Sequence, residues 1–234
     1  MARGAPAPVP PPPRPTCGQP GIAWPSESVT IRSVMALEFQ PFDPRKPVRI
    51  YRRNLPHWRQ DGATYFVTWR LADSLPAAQV RYLRQLRDAM VETPADDDPS
   101  LAWEREYFRS MERFLDAGHG SCVLRRPDLR GVVEACMRRF DGVRYQLGEH
   151  VVMPNHVHAL VRPLGDLKLE TVIGRWKSFT TREANRRTRG SGSLWQEEFH
   201  DRIVRDAAEL ERTIRYILNN PRPPGRRIMP WEDR

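Results

Sequence analysis

The sequence predicts an α+β fold built on one antiparallel sheet, and three observations predict it. Residues 63–71 (ATYFVTWRL) alternate aromatic and branched side chains behind the turn-forming Asp61-Gly62. Residues 142–152 and 155–163 read as two further strands, parted at Met153-Pro154 because proline cannot donate to a ladder. Between and after these stretches lie segments with apolar residues three and four apart, and helices that separate paired strands fit helices layered on a single sheet.

Taken in order, the first 47 residues hold 12 of the 23 prolines, so residues 1–47 are expected to form a disordered tail. Met35 opens a fresh stretch and is an alternative start, which intact mass would decide. Order is expected from 48 to 221 as one domain. Pro76 opens a helix over 77–92, with Val80, Leu83, Leu86 and Met90 on one side. An acidic loop leads to a second helix over 101–118, and Pro127-Asp128 opens a third over 129–140. A long basic helix spans 169–187, and the last helix, 206–220, is stopped by Pro221. Residues 222–234 form a basic tail rich in proline and arginine.

Lys plus Arg outnumber Asp plus Glu by 38 to 29, a formal charge of +9 that favours a polyanionic partner. Only Lys46, Lys168 and Lys177 are lysines, so a composition rich in Arg is an alternative source of that charge. Three cysteines without CxxC spacing exclude a disulfide framework and a cysteine-based zinc site, and fit a reducing, cytoplasmic setting. Cys122 and Cys136 read as small buried hydrophobes. No apolar run is long enough to span a membrane.

Residues 153–160 read MPNHVHAL. In a strand His156 and His158 share one face and Val157, Ala159 and Val161 the other, so two imidazoles converge where a divalent cation can be chelated if a third ligand arrives. Two hydrogen-bonded histidines are the plainer alternative. On the last helix, at about 100° per residue, Leu210, Ile214, Ile217 and Leu218 form the expected core stripe and Tyr216 lies far from its centre. Arg212 and Asn220 flank Tyr216 one turn either way, a cation, a phenol and an amide suited to phosphate; a surface tyrosine is the alternative. Between 175 and 189 six basic residues meet Glu183 alone, with Trp176 and Phe179 interleaved. Arg175, Lys177, Arg182, Arg186 and Arg187, with Arg212, are the candidate phosphate contacts for a polyanionic partner, and a solvated face over core aromatics is the alternative. Trp195 is expected in the core, with Arg202 and Arg205 either touching the polyanionic partner or pairing with Glu197, Glu198 and Asp206.

The series YFVTWRLADSLP, HGSC, VVMPNHVHALV, RWKSFTTREAN, LWQEEFHDRIVRD and RYILNNP resembles the single-tyrosine HUH transposases of the IS200-like kind, and most closely the REP-associated tyrosine transposases. The likeness runs from about Arg52 to Pro221, in the family's order. It implies a ferredoxin-like antiparallel sheet with helices on one face, the histidine strand central, and the catalytic tyrosine on a C-terminal helix. It further implies His156, His158 and Asn220 as metal ligands and Tyr216 as nucleophile, although relatives often carry glutamine where Asn220 stands. The implied substrate is single-stranded DNA that folds into hairpins at extragenic palindromes, cut through a 5′-phosphotyrosine with Mg²⁺ or Mn²⁺ as cofactor. A nucleoid-associated protein acting as monomer or homodimer follows from the same likeness. Two alternatives stay open: a hairpin-binding regulator without chemistry, and a metal-dependent hydrolase for which Tyr216→Phe would remain active.

Overall fold

The computed structural model of the chain describes residues 37–52, 56–92 and 98–220. The expectations for residues 1–36 and 222–234 lie outside these. Among the described residues twelve elements follow one another. Strands β1 (Arg49–Arg52) and β2 (Pro56–Arg59) pair as a hairpin and lead to β3 (Tyr65–Arg70). Helices α1 (Ala77–Glu92) and α2 (Asp98–Asp116) come next, then a 3₁₀ turn (Val123–Arg125) and α3 (Pro127–Arg138). Strands β4 (Tyr145–Val152) and β5 (His156–Pro163), helix α4 (Leu169–Thr188), strand β6 (His200–Ile203) and helix α5 (Ala207–Asn219) complete the order.

The four long-range strands form one antiparallel sheet in the order β4-β5-β3-β6, with the histidine strand inside it. Counting β3 as first, this is the βαββαβ order of the ferredoxin-like sheet that the resemblance implies, with β6 a strand that the pattern of the sequence did not reveal. The layering goes further than the expected single helical face. Val67, Trp69, Val157, Ala159 and Val161 pack on α3 and α4 through Leu129, Val133, Met137, Val172, Ile173 and Trp176. The alternate residues Phe66 and Leu160 pack on α1, α2 and α5 through Leu83, Leu86, Phe108, Met111, Leu115, Tyr216 and Ile217. Because residues two apart share a face, β3 and β5 bury apolar side chains on both sides, and both sides need helices.

The local signals explain the ends of these elements. Pro127 stands at the first turn of α3, where its missing N–H costs nothing. Asp206 caps α5 by accepting from the Glu209 backbone N–H at 2.7 Å. Trp69 lies 5.6 Å from Trp176 and 6.1 Å from Trp195 between ring centres, so Trp195 is a core residue, as expected. A register shift between Leu147 and His150 bulges β4 at Gly148, where an added Cβ would come within 3.0 Å of Leu160 and Leu37.

Residues 37–47, which the proline content assigns to the tail, pack against this body instead. The Phe42 N–H donates to the Val204 carbonyl at 3.0 Å and the Thr64 N–H to the Gln40 carbonyl at 2.9 Å, while Leu37 and Phe39 lie on the second core cluster. Three of the tail's prolines fall here, at 41, 44 and 47, and proline is compatible with an extended edge segment. The β1–β2 hairpin is fixed by buried charge. Asp201 on β6 accepts from His57 and from Arg59, and Glu198 lies 3.4 Å from His57. Burial pushes the His57 imidazole down, but Asp201 and Glu198 outweigh that and hold it up at about 9. No helix among the described residues is long and apolar enough to cross a membrane.

Candidate catalytic and metal site

The face of β5 that lies under α2 and α5 carries His156 and His158, and the site is assembled around them. Register pairs His158 with Thr68 and His156 with Arg70 on β3, and Thr68 in turn with His200 on β6. His158 and His156 are 0 % and 1 % exposed. Their Nε2 atoms face each other at 3.0 Å. The Asn155 side chain fixes one of them: its Nδ2 donates to the Leu115 carbonyl at 3.0 Å, so its Oδ1 is the atom 2.8 Å from His156 Nδ1. An amide oxygen only accepts, so His156 carries its proton on Nδ1 and presents a lone pair at Nε2. His158 Nδ1 lies 2.8 Å from Thr68 Oγ1, and a hydroxyl can serve either tautomer of that ring.

The third member of the group comes from α2. The Glu112 carboxylate lies 3.2 Å from His158 Nε2, and ligand atoms of Glu112, His156 and His158 all lie within 4.8 Å of one another. Two imidazole nitrogens and a carboxylate converging in a buried space fit a divalent cation. Tyr216 Oη donates a hydrogen bond to Glu112 Oε2. Burial first, and then the Glu112 carboxylate beside it, hold the phenol well above its ordinary value of 10.0, while a hydrogen bond with Asn220 acts the other way. Tyr216 therefore carries its proton at neutral pH.

The expected residues meet this geometry unevenly. His156, His158 and Tyr216 are brought together, with the Tyr216 ring centre 5.4 Å from that of His158. Asn220 is fully buried and hydrogen-bonds the tyrosine, and a carboxylate that sequence reasoning did not name, Glu112, stands beside the histidine pair. A signal for it exists: Glu112 falls four residues after Phe108 and three before Leu115, inside the apolar stripe of its helix. The stripe expected on α5 is also displaced. Tyr216 is 4 % exposed and Leu218 is 50 % exposed, because α2 covers the side of α5 on which the tyrosine stands.

The candidate DNA-contacting residues of α4 lie on the opposite face of the sheet. Arg175 and Arg182 line a cleft of about 630 Å³ between α3 and α4, with Arg139, Arg144, Phe140 and the exposed Phe179; no acidic residue is among its described lining. Lys177 is committed elsewhere: Nζ donates to the carbonyls of Gln196, Glu197 and Glu198 at 3.0, 2.9 and 3.2 Å, holding the turn before β6. Arg186 pairs with Glu183 at 2.8 Å, and Arg187 donates to the Asp128 carbonyl at 2.8 Å. Trp176 is buried in the core. Arg212 is half-buried on α5. Arg202 pairs with Glu209 at 2.7 Å, an acid not among those expected for it.

Residues 123–220 match the family described as "Transposase IS200 like". That stretch holds both histidines, Tyr216 and Asn220, and the chain's likeness to IS200-like transposases is thereby shown. No curated protein matches the chain. Among solved structures, a REP-associated tyrosine transposase bound to a REP hairpin is similar at 18 % identity and TM-score 0.37, covering 73 % of this chain and 71 % of that one. A crystal structure from Deinococcus radiodurans R1 described as a transposase is similar at 14 % identity and TM-score 0.31, covering 67 % and 88 %.

Proposed function

We propose that this protein cuts and rejoins single-stranded DNA at hairpins by transesterification, with Tyr216 as the nucleophile. The observation that carries the reading is a single tyrosine hydroxyl sharing one carboxylate with two histidines whose metal-binding nitrogens converge. Tyr216 Oη attacks a backbone phosphorus, the bond from phosphorus to the 3′-oxygen breaks, and a 5′-phosphotyrosine forms. The tyrosyl ester retains the energy of the phosphodiester, so the strand can be resealed without a nucleotide cofactor.

The phenol must lose its proton as it attacks, and Glu112 Oε2 already accepts that hydrogen bond, so the carboxylate is within reach of the proton. The leaving 3′-oxygen takes up one proton, which balances the step. A divalent cation, Mg²⁺ or Mn²⁺, held by His156, His158 and Glu112 would polarise the non-bridging phosphate oxygens. Asn220 bonds the phenol and orients it. Arg175 and Arg182 suit the phosphates of a folded DNA on the far side of the sheet, with Phe179 available for stacking.

One observation favours a second reading, a hairpin-binding regulator without chemistry: the tyrosine and both histidines are closed to solvent. A denaturing gel separates the two. Labelled hairpin DNA mixed with the protein and Mn²⁺ is expected to give a protein-linked strand that disappears in Tyr216→Phe and His156→Ala. Tight hairpin binding with no adduct for either metal supports the regulator.

A further inference from the structure

We propose that the cleft which α1 and α2 form with β3 and β6 binds one nucleotide of single-stranded DNA beside the catalytic site, with Arg70, Arg84 and Arg87 on its phosphate and Tyr107 against its base. The inference rests on single-stranded DNA being the substrate, and it names the place that holds the strand next to the cut. The cleft has a volume of about 280 Å³ and is lined by these four residues together with Thr68 and Glu198. Ligand pockets begin at roughly 300 Å³, so this one takes a single nucleotide and turns a duplex away. It is present with α1 and α2 seated as described, so Glu112 and Leu115 keep their places beside the histidines.

The positive charge of the cleft is not balanced within it. Half-buried Arg70 donates through Nη1 to the Leu71 carbonyl at 3.3 Å and to the Ser74 hydroxyl at 3.2 Å, and Ser74 is itself fully buried. Both acceptors are neutral, and no carboxylate among the described residues pairs with this guanidinium. Burial therefore lowers its pKa, as it does for a cation without a counter-ion. An arginine anchored in this way keeps its other N–H groups for an anion, in a fork that matches phosphate. Arg84 is exposed and pairs with no acid among the described residues. Arg87 is answered by Asp88 at 2.6 Å, while Glu198, the acid in the lining, lies 3.4 Å from His57. A phosphate supplies the negative charge that the wall lacks.

Register ties the cleft to the chemistry. Arg70 stands opposite His156, and Thr68 stands between His158 on β5 and His200 on β6. Paired residues share a face of the sheet, so Thr68 and Arg70 lie on the side that carries both histidines. Adjacent strands are about 4.8 Å apart, which puts this wall of the cleft one strand spacing from the histidines. Thr68 Oγ1 is 2.8 Å from His158 Nδ1. A nucleotide held here belongs to the strand that runs past the site, whereas Arg175 and Arg182 suit the folded DNA on the far side. The opposite wall is aromatic. The Tyr107 ring lies 6.3 Å from that of His200 and nearly parallel to it at 19°, a stacked pair against which a base can rest.

Fluorescence anisotropy of the full protein tests the subsite, with a labelled thymidine oligonucleotide about a dozen nucleotides long and a blunt duplex of the same length as probes. Arg84→Ala and Arg70→Gln are each expected to weaken single-strand binding about three- to tenfold and to lower the slope of log affinity against log salt by about 0.7, leaving duplex binding unchanged. Arg84 is exposed, so its variant carries the test even where Arg70→Gln does not fold. Single-strand affinity and salt slope as in wild type, or an equal loss on both probes, overturn the subsite and leave the proposed reaction standing. A wild-type protein that binds no single strand at low salt sinks that reading and the subsite with it.

Discussion

Replacing Thr68 with valine removes one hydroxyl and tests whether the histidine pair is a metal site. Thr68 is 1 % exposed, and its Oγ1 lies 2.8 Å from Nδ1 of the fully buried His158. Valine keeps the shape and leaves Nδ1 without that partner. With a cation bound, His158 must offer a lone pair at Nε2 and carry its proton on Nδ1, which the hydroxyl then accepts. Partners of this kind are worth roughly 10- to 100-fold in metal affinity, or about 1.4 to 2.7 kcal/mol. Losing a hydrogen bond at a buried nitrogen costs about 1–3 kcal/mol of stability, a fall in Tm of about 2–12 °C for a domain of this size. Calorimetric titration with Mn²⁺ reads the first effect and thermal melting the second, while Thr68→Ser, which keeps the hydroxyl, is expected to behave nearly as wild type. A folded valine variant that binds Mn²⁺ as tightly as wild type would refute the reasoning.

Other predictions follow from the same physics. Asp201→Ala strips the shared carboxylate from buried His57 and Arg59, and breaking such a pairing costs about 3–5 kcal/mol, so urea unfolding should show the loss and Asp61→Ala, at an exposed pair, almost none. His57 is held up at about 9 against an ordinary 6.5, so its contribution is complete below 6.5, declines as pH rises and is lost through about 9; melts from pH 6 to 10 should fall, and His57→Gln should flatten that dependence. Arg175→Glu with Arg182→Glu should weaken hairpin binding and lower its salt dependence by roughly one to two counterions, whereas Lys177→Met should chiefly lower Tm because Nζ holds three carbonyls.

The sequence was most legible where one period dominated. β3, β4 and β5 alternate, α1 and α3 repeat every three or four residues, and the HxH spacing points two histidines to one face. β6 escaped notice because its alternation is written in polar residues: Asp201 is satisfied by His57 and Arg59, and Arg202 by Glu209, all distant in sequence or beyond the strand. Glu112 escaped for the same reason, since a carboxylate in an apolar stripe has meaning only once Tyr216 and His158 are brought to it. The displaced stripe of α5 is a packing effect. A helical wheel ranks faces by hydrophobicity, and α2 buries a face whose polar groups answer to Glu112 rather than to water. Lys177 shows the converse, a basic side chain on a basic helix spent on its own backbone.

The central claim is that Tyr216 forms the covalent link to DNA. Peptide mass spectrometry of the protein after incubation with hairpin DNA, Mn²⁺ and a nuclease tests it most directly. The account predicts a nucleotide-phosphate adduct on the peptide carrying Tyr216, absent when Mn²⁺ is chelated. An adduct on another residue, or cleaved DNA with no adduct on any peptide, would contradict it.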